Sequence, residues 1–453
     1  MQQESLSSGL KVRHLTMMGL GSAIGAGLFV GSGKSIAAAG PGVLVSYALA
    51  GVVVVSVMFL LGELASAKPS SGAFSTYAHE GIGPWAGFAV GWTYWFMLIM
   101  VLGVELLAAS AIMAGWVPLP QWVISFALIA VFACVNLFGV KHFGELEFWF
   151  AAIKVGAIVS FLAVGALALM GVIATPDGAG LTRLFTSEGG FFPTGAAGVA
   201  AGLLAVMFAF GGIEIITIAA AEASDPHESI RKATISIVGR VLTFYFGSAL
   251  VMLCILPWND PSLEHGAFVA VLDALRFPTA SGLMEIVIVI ALLSAFNAQI
   301  YGTSRMAYSL ATKGEGHAAL LRVSGRGVPV TAVMVSVVFS VIAVLCHMIE
   351  PHMAGILLDA VGATLLIIWA IIAISQIRLR PAYEAQGVLR LRTWWYPWLG
   401  RMTVLAIFGF AVLMLFDSTS RRNLILAVGI FGFVVAVYFA RQSMSRRVRV
   451  DKS

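Results

Sequence analysis

Twelve stretches of this chain are apolar for the length of a bilayer, near residues 15–38, 42–67, 84–112, 121–139, 148–174, 197–222, 233–257, 282–311, 329–349, 354–377, 398–416 and 422–440. About 20 apolar residues cross the hydrocarbon layer as a helix, so each run is long enough to span it or nearly so. The composition agrees: 60% of the residues are hydrophobic, 11% are charged, and the mean hydropathy is +0.96. An all-α membrane protein with twelve transmembrane helices in one membrane domain (1–453) is expected, because the loops leave little room for a second domain.

Charge sets the orientation. Met1 to Gly9 is polar and the first apolar run continues into a second, so no cleavable leader is expected. Lys and Arg concentrate in one set of alternate loops, among them Lys11, Arg13, Lys68, Lys141, Arg231, Lys232, Lys313, Arg322, Arg326, Arg378 and Arg380. The other set carries Lys34, Arg183, Arg276, Arg421 and Arg422. Retained loops are the basic ones, which predicts a multi-pass protein of the cytoplasmic membrane with both termini in the cytoplasm. The net charge of +5 follows this insertion pattern and argues against a nucleic-acid partner. Cys134, Cys254 and Cys346 sit in apolar runs without metal-ligand spacing and read as small buried hydrophobes, so neither a disulfide framework nor a metal site is expected.

Two of the runs are interrupted by small residues, Gly21-Ser22-Ala23-Ile24-Gly25-Ala26-Gly27 and Phe210-Gly211-Gly212. Glycine weakens a helix by about 1 kcal/mol relative to alanine, so such density predicts unwinding rather than packing notches alone. Unpaired backbone groups in hydrocarbon cost several kcal/mol each, so a break survives only where protein or a wet cavity satisfies it. Scattered glycines such as Gly19, Gly87, Gly91, Gly198 and Gly202 read instead as close-packing positions. Spans one to five (15–174) and six to ten (197–377) overlay as two halves. An odd number of spans in each makes them inverted repeats, with helices eleven and twelve (398–440) appended.

Unwinding at Ala23 to Ala26 would present the N–H groups of Gly25, Ala26 and Gly27 at the start of a half-helix, a site for a carboxylate. The second break, Phe208 to Gly211, would leave carbonyls at the end of a half-helix that, with the carbonyl of Ala23, suit an ammonium group. Together they describe a clamp for a zwitterion.

Several segments carry a family resemblance. Ala39-Gly40-Pro41 leads to Gly62-Glu63 and Pro69; Ile24-Gly25-Ala26-Gly27-Leu28-Phe29 and Phe208-Ala209-Phe210-Gly211-Gly212-Ile213-Glu214 fall on the first and sixth helices; Ala221-Glu222 and Pro226 follow. On these the chain resembles a bacterial amino acid transporter of the amino acid, polyamine and organocation superfamily, and is similar to its aromatic amino acid and 4-aminobutyrate permeases. The resemblance implies the five-plus-five, LeuT-like fold with broken helices 1 and 6, and secondary transport without a cofactor. Lys154 matches a family lysine whose ammonium takes the place of a coupling sodium ion, which implies a proton-linked cycle. Glu214 matches a gating glutamate, and Phe208 an aromatic cap over the substrate.

The residues allow other readings. Lys154 in the fifth span is either a coupling group, the default for an intramembrane charge, or half of a static ion pair. Glu63, Glu105, Glu214 and Glu222 are each a proton carrier or a fixed acceptor; Glu63 reads as an anchor for a loop or for Lys68. Tyr94 and Glu105 are candidate cavity residues, as are Ser294, Asn297 and Tyr301 near Lys154, with helix-to-helix hydrogen bonding as the alternative. An enzyme is not expected, since no nucleophile motif or metal cluster appears, and no charged ring or filter repeat suggests a channel. The expected function is import of an amino acid together with a proton, neutral or aromatic substrates being favoured by the small residues at the breaks. A 4-aminobutyrate or small neutral amino acid permease and an amino acid exchanger are the alternatives. No obligate protein partner is implied beyond substrate, proton and bilayer.

Overall fold

The computed structural model describes Met17 and residues 24–70, 72–138, 140–212, 214–220 and 225–450. Ala23, Gly21, Ser22, Gly19 and Glu222, singled out above, lie outside the described residues. Regular structure among the described residues is helical, apart from one isolated bridge between Val323 and Pro329.

The chain runs through α1 (Ala26–Phe29), α2 (Gly31–Ala39), α3 (Val43–Ala67), the short α4 (Ala73–Gly81), α5 (Pro84–Ala114), α6 (Gln121–Leu137) and α7 (Val140–Leu169). It continues with α8 (Arg183–Thr186), α9 (Gly195–Ala209), α10 (Ile215–Ala220), α11 (Pro226–Arg240), α12 (Gly247–Ile255) and α13 (Ser262–Ala274). The last five are α14 (Pro278–Thr312), α15 (Val330–Ile349), α16 (Met353–Ala385), α17 (Trp398–Met414) and α18 (Ser418–Val450). Seven stretches, Ala26–Ala67, Pro84–Ala114, Gly144–Leu169, Pro278–Thr312, Val330–Ile349, Met353–Ala385 and Ser418–Ser443, are long and apolar enough to cross a membrane. Gln121–Leu137, Gly195–Ala209, Thr243–Ile255 and Trp398–Met414 are apolar but shorter.

Sequence explains the local choices. Pro84 and Pro278 open α5 and α14 at the first helical position, where a missing N–H costs nothing. Burial then separates centre from edge: 72% of the most apolar window of α5 is buried, against 11% of that of α18. A helix apolar on all sides is a core or membrane helix. Outward residues such as Phe408, Leu405, Ile425 and Phe433 are exposed and apolar, which suits a lipid-facing surface. The glycines expected to pack do so: a Cβ on Gly91 would meet Leu310 at 2.6 Å, on Gly87 the Ser75 carbonyl at 2.8 Å, on Gly202 Ala39 at 2.9 Å and on Gly198 the Ala38 carbonyl at 2.6 Å.

Both expected breaks fall among irregular backbone. α9 ends at Ala209, Gly212 turns with φ +95°, and the helix resumes only at Ile215. That left-handed turn is open to glycine and strained for other residues. On the first helix, Gly25 is extended (φ −149°, ψ −147°) and α1 starts after it. An unexpected π-helical turn, Val241–Phe246, joins α11 to α12.

Near the predicted inner end of α3, Glu63 is fully buried and binds four groups. It accepts from Gln376 Nε2 at 2.7 Å, Arg380 Nη1 at 3.0 Å, the Thr393 amide at 2.6 Å and Thr393 Oγ1 at 2.7 Å. Glu63 thus ties α3 to α16 and to the segment before α17, while Lys68 pairs with Glu80 instead. Removing one partner of a buried pair strands the other charge, at about 3–5 kcal/mol. Glu63→Ala is expected to lower the thermal unfolding midpoint in detergent substantially, and Glu63→Gln to recover part of the loss; an unchanged midpoint in Glu63→Ala would contradict the anchoring role.

Candidate functional site

The two breaks touch. A Cβ added to Gly27 would lie 2.3 Å from Ala209 Cα, so the start of the first half-helix rests on the end of α9 with no room for a side chain. Gly25 is equally confined, since its Cβ would fall 2.5 Å from Glu105 Oε1 and 3.0 Å from Ala295 Cβ. Between them lies a cavity lined by Gly25, Gly27, Val101, Glu105, Phe208, Ala209, Gly211 and Gln299. Its volume of about 10 Å³ is that of roughly one water, so the conformation described is closed around the site.

The backbone groups freed by the breaks are satisfied by side chains, Glu105 and Tyr245 from elsewhere in the fold and Glu214 from within the second break itself. The Ala26 amide donates to both oxygens of Glu105, at 3.1 and 3.0 Å, across 79 residues of sequence. The Gly212 amide donates to Glu214 Oε2 at 3.1 Å, and Trp369 Nε1 of α16 donates to Glu214 Oε1 at 2.5 Å. Tyr245, within the π-helical turn, donates its hydroxyl to the Ala209 carbonyl at 3.0 Å. Leaving such a buried group unpaired costs about 1–3 kcal/mol. The half-helix start expected to be open to a substrate carboxylate therefore already holds a carboxyl group of the protein, at Ala26.

The coupling candidates form a second cluster. Lys154 is fully buried and donates to Ser294 Oγ at 2.9 Å; Ser294 donates to Glu147 Oε1 at 2.5 Å; Lys154 Nζ lies 3.8 Å from that same oxygen. Asn297 accepts from Asn136 Nδ2 at 2.8 Å and also contacts Glu147, so α6, α7 and α14 are joined by one polar network. Glu105 and Lys154 act on each other electrostatically, which links this cluster to the cavity.

Among the residues singled out in the sequence, Gly25, Gly27, Phe208, Gly211 and Glu105 line the cavity, and Ala26 presents its amide there. Gly212 and Glu214 sit beside it, bonded to each other. Ser294 and Asn297 point to Lys154 and Glu147 rather than into the cavity, because α14 turns a different polar residue, Gln299, toward it. Tyr94 is buried outside the lining, its ring edge-on to Phe74 with centroids 4.5 Å apart, within electrostatic reach of Glu214.

Glu147, Gln299, Tyr245 and Trp369 were missed. Glu147 had a signal: it precedes Lys154 by seven residues, two helical turns on one face. Gln299 shares a face with Ala295 by its spacing of four, and Ala295 approaches Gly25. Tyr245 and Trp369 carried no local signal. Among the described residues no three His, Cys, Asp or Glu side chains gather as metal ligands.

Membrane-length apolar helices around a closed cavity at two helix breaks define a multi-pass membrane protein. The sequence profile of the amino acid permease family matches residues 14–451, and the chain belongs to that family, whose members are transporters rather than enzymes. It is 45% identical over 442 residues to the aromatic amino acid transport protein AroP of Corynebacterium glutamicum, covering 96% of this chain and 95% of that one. It is 41% identical over 455 residues to the gamma-aminobutyric acid permease of Bacillus subtilis, covering 99% and 97%. The gamma-aminobutyric acid permease of Escherichia coli is 40% identical over 437 residues, covering 95% and 94%.

The contact between the breaks gives a direct test. Overpacking typically costs about 1–3 kcal/mol, so Gly27→Ala should reduce amino acid uptake about fivefold or more while the protein still inserts. Normal uptake by an inserted Gly27→Ala variant would contradict the need for this approach.

Proposed function

We propose that this chain imports a neutral or aromatic amino acid across the cytoplasmic membrane by proton symport, alternating access around the two helix breaks. The observation that carries the reading is the buried cavity at the meeting of those breaks, with an amide donor at Ala26 on one side and the carbonyl end of α9 on the other. The substrate carboxylate binds at Gly25, Ala26 and Gly27, the ammonium group binds at the Phe208 to Gly212 turn, with Ala23 completing the site, and Phe208 closes over the side chain. Twelve spans in two inverted halves (15–174 and 197–377), a LeuT-like arrangement with both termini cytoplasmic, supply the two rocking bodies.

Small lining residues, Gly25, Gly27, Ala209 and Gly211, support a bulky uncharged side chain, as does the likeness to a protein named for aromatic amino acids. A second reading, 4-aminobutyrate, is favoured by relatives of that name matching nearly the whole chain. Competition of labelled phenylalanine uptake by tyrosine, 4-aminobutyrate, alanine and lysine separates them. Tyrosine is expected to compete and lysine not to; a panel in which 4-aminobutyrate alone competes would overturn the aromatic assignment.

Lys154 is the coupling group, with Glu147 as its fixed partner and Glu214 as the group that holds the second break. Because Lys154→Ala alone strands Glu147, the informative variant is Lys154→Ala with Glu147→Gln. In vesicles under an imposed pH gradient the wild type is expected to concentrate substrate. The double variant is expected to exchange internal for external amino acid without concentrating it. Gradient-driven accumulation by the double variant would contradict the assignment, and a wild type silent without internal substrate would identify an exchanger.

A further inference from the structure

The carboxyl group of Glu105 occupies a donor that the proposed substrate needs. Glu105 lies in the C-terminal half of α5, is 3% exposed, and places both oxygens within hydrogen-bonding distance of the Ala26 amide. Both oxygens sit on that single N–H, so a substrate carboxylate reaches the Ala26 amide only as Glu105 leaves it. Two carboxylates in one buried site do not both stay ionised, because each raises the electrostatic cost of the other. The charged group acting on Glu105 is Lys154 of α7, itself held by Glu147; α14 turns the uncharged Gln299 to the cavity, and α9 turns Phe208. Lys154 supplies one positive charge to both Glu147 and Glu105, so a further carboxylate at the Ala26 amide would have no counter-charge among these groups.

We propose that Glu105 is a built-in stand-in for the substrate carboxylate: an amino acid binds by exchanging with Glu105 at the Ala26 amide, and the displaced Glu105 takes up a proton from solvent. One N–H···O bond to Glu105 breaks as one to the substrate forms, the proton joins a Glu105 oxygen, and because the amino acid enters as a zwitterion the site gains the one positive charge of that proton. The exchange excludes a state with both carboxylates on the amide and makes substrate binding depend on a proton. It also assigns the buried amide oxygen of Gln299, which has no partner among the described residues, as an acceptor for the substrate ammonium. This rests on the amino acid transport reading and deepens it by naming the group that substrate displaces.

Calorimetric titration of the purified full-length protein with L-phenylalanine, in buffers of different ionisation enthalpy, counts protons taken up on binding. 2-Phenylethylamine, which lacks the carboxylate, is the control ligand. Wild type is expected to take up on the order of one proton per phenylalanine, with affinity falling as pH rises, and none with the amine. Glu105→Gln keeps the side-chain size and an acceptor for Ala26; it is expected to bind phenylalanine without proton uptake and with a flat pH profile. Infrared difference spectra should show a protonated carboxyl band on adding phenylalanine to wild type and none in Glu105→Gln. Equal uptake with both ligands, or uptake persisting in Glu105→Gln, would overturn the exchange while leaving amino acid binding intact. Should Glu105→Gln fail to fold, the comparison of the two ligands on wild type decides alone. Absence of binding by phenylalanine and by every other amino acid would instead remove the transport reading, and the exchange with it.

Discussion

Interrupting a helix inside hydrocarbon is possible only when something replaces the hydrogen bonds that the interruption removes. Here side chains do so, two of them from elsewhere in the chain and one from within the second break. Glu105 takes the Ala26 amide, Glu214 takes the Gly212 amide, and Tyr245 takes the Ala209 carbonyl. Each break thus has a carboxyl group at its free N–H, and each carboxyl is fixed by a different partner. Glu214 is held from α16 by Trp369, so the second break is tied to a long buried helix. Glu105 is confined by Gly25 and faces Lys154, so the first break is tied to the charged network of α7 and α14.

Satisfaction by side chains also makes the breaks changeable. A backbone bond inside a continuous helix is cooperative with its neighbours, whereas a side-chain partner leaves by rotating about its own bonds. The contact between Gly27 and Ala209 is closer than any residue with a Cβ would permit, so the two half-helices meet backbone to backbone. The proposed alternating access draws on this, with the ligand taking over hydrogen bonds that the protein otherwise supplies to itself.

How much of this was legible in the sequence depends on whether the signal was local. Glycine density around Gly25 and Gly211 marked the breaks, and Lys154 stood out as a lone charge in an apolar run. Ser294 was correctly placed near Lys154, but Ser294 and Asn297 were expected to line the cavity. The helical period explains the difference, since Gln299 is turned roughly 200° around the axis from Asn297. Glu63 read as an anchor, yet its partners Arg380 and Thr393 lie more than 300 residues away and left no pattern beside it. The partner of Ala26 was hidden in the same way. A carboxyl group 79 residues distant fills the position that the local sequence had marked for a ligand, and no periodicity in α5 distinguishes Glu105 from a simple buried acceptor.

The most direct test is a structure of the full chain with its amino acid bound, at a resolution that separates carboxylate oxygens. The account predicts the substrate carboxylate on the amides at Ala26 and Gly27, with the Glu105 side chain moved off Ala26 and both breaks still open. A substrate bound elsewhere while Glu105 remains on Ala26, or a continuous helix through either break, would contradict it.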